Sequence, residues 1–365
     1  MKPMGRQSGL SLVELMIASA VALVMLAGVG QLFLSTRQMN IADDASADVQ
    51  DTGRHILNYL SEQVRLAGMM GCAKLGANNY TSSITAYDAD YYHPFNIGIQ
   101  GYQKGLSTLP TVLDSLSIAA GTDILVVRRA SEESFRLIQP QDNNSFYAEH
   151  TGTVNKGCKG NTLPKINGIC PDDILVAVDC QKARSFVVSA ISTIDVGGTS
   201  VVQIDHNAKN NPSSWGGPAS DNPMDKFDIR DTTLSKAATT AYYVDNTGTL
   251  YQKVNDENAE ELASGVDYLR ILYGIDSDDD GSVNRYVSAS SLSADPQAAD
   301  NFNRVVSLQI AVLVRSQQRV LNANEVSSGT TQDYDLLGTP VTLSNDGYLH
   351  QVFQTTIKLR NGGMS

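Results

Sequence analysis

No proline stands between Pro3 and Pro94, and a single formal charge, Glu14, falls between Leu10 and Leu34. Without proline nothing removes a backbone donor, so one helix can run through this whole region. A basic excess is also missing. Lys and Arg number 27 against 39 Asp and Glu, a net charge of -12, which excludes a role resting on general attraction to phosphate. The four cysteines, Cys72, Cys158, Cys170 and Cys180, include no C-x-x-C pair, which excludes the zinc-knuckle and thioredoxin-like patterns. His55, His93, His150, His206 and His350 lack ligand spacing, and no nucleophile elbow, phosphate loop or dinucleotide fingerprint occurs. Each histidine reads as a surface or core residue, and the chain is not expected to be an enzyme.

What is present begins at the N-terminus. Residues 1 to 9 carry Lys2 and Arg6 and no acid, and Leu15 to Leu34 is a run of 20 uncharged residues. As a helix rising about 1.5 Å per residue, that run covers roughly the 30 Å of a bilayer core. The basic side is expected to stay cytoplasmic, which puts everything after Arg37 on the far side. A secretory signal is the rival, with Ala18-Ser19-Ala20 as its cleavage site. Its apolar region would be shorter, however, and would not open on a carboxylate. Glu14 is the anomaly, because an acid at bilayer depth costs several kcal/mol unless it finds a partner.

Beyond the apolar run, Ile41, Ala45, Val49, Ile56, Leu60, Val64 and Ala67 recur near the 3.6-residue period, while Asp43, Asp44, Asp48, Asp51 and Arg54 fall off the stripe. The pattern predicts one helix from Leu10 to about Leu66, lipid-soluble in its first half and packed on a head in its second. Gly28, Gly30 and Gly53 are its soft points. After Cys72 the composition turns to Tyr, Ser, Thr, Gly and Asn with short β-rich runs. Strands are expected at 123–129, 174–178, 185–191, 199–204, 241–244 paired with 249–254, 305–315 and 352–359. Residues 207–228, holding the only tryptophan, Trp215, read as a surface loop that could separate two β lobes, with Trp215 capping the core. The fold class is therefore α+β, a long helix on a large, mainly antiparallel β head.

The wording Gly9-Leu10-Ser11-Leu12-Val13-Glu14-Leu15 resembles the class III signal of type IV pilins and pseudopilins, with Leu10 where those proteins usually carry Phe. The resemblance implies a pilin-like fold and a prepilin peptidase cut between Gly9 and Leu10. It also implies methylation of the new Leu10 amine, and pairing of Glu14 with a neighbouring subunit's terminal amine. The chain then divides into a leader (1–9), a transmembrane half-helix (10–36), an amphipathic half (37–70) and an extracytoplasmic β-rich head (71–365). Arg65-Leu66-Ala67-Gly68 running to Gly71-Cys72, Val178-Asp179-Cys180, Tyr273-Gly274-Ile275-Asp276, Val312 to Ser316 and Thr356 to Asn361 resemble PilW-type minor pilins. That implies a low-abundance subunit of the inner membrane with a periplasmic head, which later joins other minor and major pilins at the fibre tip through the inner-membrane assembly platform. A pseudopilin of type II secretion is the near alternative, and a membrane-tethered periplasmic enzyme or adhesin the distant one.

An extracytoplasmic head favours disulfides. Of the three pairings that four cysteines allow, the short Gly-rich loop favours Cys158 with Cys170, which leaves Cys72 with Cys180. Asp276, Asp278, Asp280 and Gly281 match the first half of a calcium loop, with Asn284 at the ninth position. The twelfth is Val287, where a bidentate Glu is expected. Calcium and a plain acidic hairpin turn are both open readings here.

Overall fold

The computed structural model describes residues 12–71, 79–84, 91, 95–152, 155–158, 163–207, 211, 215–216, 221–255, 257–293, 301–321 and 330–360. Helix α1 runs unbroken from Leu12 to Arg65, 54 residues or roughly 80 Å. All three expected soft points lie inside it as regular helix. Its buried residues are Ala45, Val49, Gly53, Ile56, Leu60 and Val64, a single stripe at steps of three and four. The helix stops where Gly68 takes φ 70°, and the Gly68 N–H donates to Arg128 O at 2.8 Å.

The head is built on two sheets. The larger has eleven described strands: β1 (Tyr80–Ser82), β2 (Ile99–Gln103), β3 (Asp123–Gln139), β4 (Ser145–Glu149), β7 (Ile174–Val178), β8 (Ala183–Val187), β9 (Ala190–Val196), β10 (Thr199–Asp205), β11 (Thr233–Val244), β12 (Thr249–Val254) and β13 (Glu260–Ser264). Strands β5 (Asn155–Cys158) and β6 (Leu163–Lys165) form a separate hairpin. In the smaller sheet, β14 (Val266–Ile275), β15 (Arg285–Ser288), β16 (Val305–Arg319) and β19 (Tyr348–Lys358) lie in the order β15-β14-β16-β19. The hairpin of β17 (Thr331–Leu336) and β18 (Thr339–Ser344) stands beside it. Pairing is antiparallel except between β1 and β8. Short helices α2 (Thr111–Asp114) and α3 (Ala289–Ser293) fill connections.

The smaller sheet is covered on both faces. Val49, Ile56, Leu60 and Val64 of α1 join one core with Leu308, Ile310, Val312 and Val314 of β16 and Ile357 of β19. On the other face Ala311, Leu313 and Val352 meet Leu336 and Val341 of the β17–β18 hairpin. With both faces apolar, β16 reads as a nearly continuous hydrophobic run instead of an alternating one.

A buried polar seam joins the two sheets. Asp123, 1% exposed at the start of β3, accepts the Ile271 N–H at 2.7 Å and pairs with Arg270 at 3.2 Å. Arg270 donates onward to Thr339 Oγ1 at the start of β18 at 3.2 Å. Burial pushes the Asp123 carboxyl up to about 6, although Arg270 and the Ile271 N–H pull the other way.

The third core, under β7–β10, holds Trp215 at 5% exposure, so the only tryptophan is a core residue. Its ring packs, tilted by 31°, on buried His206 at 4.2 Å between centroids, with the Arg184 guanidinium 4.0 Å from its own ring centroid. Burial pushes the His206 imidazole down to about 4.

Several strands outrun their sequence bounds: β3 continues to Gln139, β11 starts at Thr233 and β16 reaches Arg319. The run 185–191 divides between β8 and β9, because Val188 and Ser189 leave the ladder to bond Asp173 and Asp205. Cys158 and Cys170 form a disulfide with Cα atoms 5.7 Å apart. Cys180 is also disulfide-bonded, and its expected partner Cys72 lies outside the described residues.

Candidate functional site: the long helix and its junction with the head

The first half of α1 buries none of its residues. Every residue from Leu12 to Asn40 is exposed; Leu12 stands at 77% and Val24 and Leu26 at 74%. The most apolar 18-residue window has a mean hydropathy of 2.4 and none of it is buried. A patch of this size marks a surface that meets lipid or another protein. Glu14 lies in the first turn, exposed on this same apolar shaft, where helix N-termini favour negative charge. Gly9 and Leu10 lie outside the described residues.

The second half is held by specific contacts. Gly53 meets the ring of Phe353 on β19 so closely that a Cβ there would overlap it. Glycine inside a helix reads as a weak point in sequence, but Gly53 is a close-packing site. Its place in register, between Val49 and Ile56, was the signal that it belonged to the packed stripe. Two polar ties flank the stripe: the Gln317 N–H donates to Asp48 Oδ2 at 3.0 Å, and Tyr59 OH to Gln252 Oε1 at 2.7 Å. At the helix end, Gly98 packs against the backbone of Gly68 with no room for a side chain.

Arg128, fully buried, anchors the next segment by donating to Tyr91 O, Ile97 O and Gln100 Oε1 at 2.7 to 3.3 Å. Nothing in the sequence marked it, since the DILVVRR run reads simply as a strand. Its burial without a carboxylate among these partners lowers its affinity for the proton.

The acidic residues do converge. Carboxylate oxygens of Asp276, Asp278 and Asp280 lie within 4.8 Å of one another in the β14–β15 turn, a donor set that suits a hard divalent cation. The same groups also close the turn. Asp276 accepts from Gly281 N at 2.7 Å and Asp278 N at 3.3 Å, and Asp280 accepts from Ser282 N at 2.7 Å. Asn284 Oδ1 receives both the N–H and the hydroxyl of Ser277. Desolvation opposes ionisation of Asp276, yet the N–H donors of the turn hold it below the usual carboxylate range. Val287 sits in β15 opposite Tyr273 and offers no oxygen ligand from its side chain.

An open cleft of about 860 Å³ lies between the β7–β8 turn and residues 226–231, over Phe227 and Gln141. Among the described residues its lining includes neither histidine nor serine; Cys180 is in a disulfide, Lys182 and Arg230 are paired with Asp179 and Asp228, and Lys226 is the remaining cation.

Residues 234–361 match the family described as Type IV Pilus-assembly protein W, a stretch that takes in the smaller sheet packed on α1. Residues 4–30 match the prokaryotic N-terminal methylation motif, which spans the leader and the first part of the exposed helix. No curated protein and no solved structure matches the chain.

Proposed function

We propose, from the premise that the chain is a type IV pilin of the PilW type, that it is a non-catalytic minor subunit acting by assembly in a priming complex at the fibre tip. Residues 1–9 are removed by prepilin peptidase between Gly9 and Leu10, and the Leu10 amine is methylated. Residues 10–36 hold the chain in the inner membrane, residues 37–70 carry the head, and residues 71–365 form the periplasmic head. On assembly, the exposed half of α1 leaves lipid for the helices of other pilins. Glu14 then neutralises a neighbour's terminal amine, so that neither charge is buried alone.

The observation that carries this reading is the division of α1 into a wholly exposed apolar half and a half fixed to the head. The tip position is supported by bulk, since a head of this size is hard to repeat around a tightly wound fibre. Motility, adhesion and DNA uptake are the activities such a fibre would serve.

Glu14→Ala tests the reading. The variant is expected to be inserted and processed normally but to form few or no fibres. Unchanged piliation would remove the charge pairing. Deletion with parallel assays of twitching, DNA uptake and protein secretion separates a pilus from a secretion system.

A further inference from the structure

Among the described residues, strand β19 is an open edge of the smaller sheet, and its outward-facing groups can be assigned. Leu359 N donates to Val306 O at 2.9 Å, and the ladder then runs without a register shift from Ser307↔Lys358 to Arg315↔His350. Antiparallel residues alternate between facing the partner and facing away. Odd-numbered residues of β19 therefore bond to β16, and Val352, Gln354, Thr356 and Lys358 turn their N–H and C=O groups outward. Among the described residues none of these outward groups has a hydrogen-bond partner. The usual protections of an edge are few: β19 has no proline and no bulge over this stretch, and Lys358, at its end, is its only Lys or Arg.

We infer that β19 is an assembly edge that receives a strand from the head of a different pilin-type subunit. The inference rests on the proposed function, because it is the fibre that brings heads side by side. Two observations fix the occupant. First, β19 runs in the same sense as α1: Asp48 is tied to Gln317, opposite the start of β19, and Gly53 lies on Phe353 farther along. A neighbour whose helix lies parallel to α1 thus has its sheet alongside β19. Second, neighbours of like orientation meet by opposite edges. The opposite edge in this chain is β15, only four residues long, so a second copy offers little to pair with. The incoming strand is uncharged or acidic where it passes Lys358, and backbone bonds supply its affinity.

The test uses the full chain in cells that assemble the fibre. Gln354→Pro and Thr356→Pro each remove one outward N–H and leave the bonds to β16 intact, a place where an edge strand tolerates proline. Gln354→Ala keeps the N–H and serves as control. The proline variants are expected to accumulate and be processed normally but to lower fibre number at least tenfold, with the alanine variant unaffected. Wild-type fibre numbers in both proline variants would overturn the inference.

Should proline weaken the head itself, seen as lost protease resistance, a photoreactive phenylalanine analogue in place of Gln354 decides. The expected adduct is with another chain that bears its own prepilin N-terminus. An adduct with a second copy, or no adduct, would overturn the inference. If Glu14→Ala still blocks assembly while the edge variants behave as wild type, only the edge inference falls.

Discussion

The two halves of α1 share one backbone and differ in what completes them. From Ala45 to Val64 the helix buries a single stripe against β16 and β19, and this chain supplies everything that stripe needs. From Leu12 to Leu34 it is apolar on all sides and buries none of its residues. A helix apolar all round requires an apolar surrounding from outside the chain, whereas one apolar along a stripe requires only a single sheet. The chain is thus folded at one end of α1 and unfinished at the other.

Substitutions at matched positions should separate the halves. Leu60→Ala, in the packed half, is expected to lower head stability by about 2–5 kcal/mol, read from thermal unfolding of the detergent-solubilised chain. Leu23→Ala should leave that transition where it was. The opposite contrast comes from Leu23→Lys, which places a charge in the exposed half at roughly 3 kcal/mol against insertion. Membrane fractionation should show it poorly inserted, with an undisturbed head. Equal effects of the two Leu→Ala changes on unfolding would erase the comparison.

A smaller effect is expected at Gly53, where alanine must displace the Phe353 ring, at about 1–3 kcal/mol. Gly28→Ala, in open surroundings, should not destabilise the head.

Acid sharpens the contrast further, since Glu14 is the only titratable side chain between Leu12 and Leu34 and head stability must answer to groups elsewhere. Asp123, raised to about 6, binds its proton more readily folded than unfolded. It therefore favours the fold at low pH, and that contribution is lost as pH rises through about 6. His206, lowered to about 4, acts in the opposite sense: its contribution is present above 6.5 and is lost as pH falls toward 4. These opposing slopes should leave the wild-type melting temperature shallow between pH 4 and 6. Asp123→Asn should make it fall more steeply with acid, and His206→Phe should reverse the sign. Parallel profiles for all three proteins would refute both assignments.

The smallest change is expected from Asp48→Ala, which removes one part-exposed acceptor at about 1 kcal/mol.

Much of this division was legible beforehand. The uncharged run and the period from Ala45 to Val64 mark the two halves directly, because helix burial imposes a spacing on sequence. The expected pairing of 241–244 with 249–254 is likewise found, as β11 against β12. Long-range choices were not legible. Nothing in the DILVVRR run says that Asp123 reaches β14 or that Arg128 is fully buried, because their partners lie far off in the chain. The β17–β18 hairpin was missed since its alternation is mostly polar and only Leu336 and Val341 are buried. The acidic turn was visible as composition, but the donors that its carboxylates accept from the backbone appear only in three dimensions.

The proposed function turns on the removal of residues 1–9, which frees the exposed half of α1 to pack among other subunits. Mass spectrometry of the mature N-terminus tests it most directly. The expected peptide begins at an N-methylated Leu10, with residues 1–9 absent. A chain that retains Met1, or one cut near Ala20, would contradict the account.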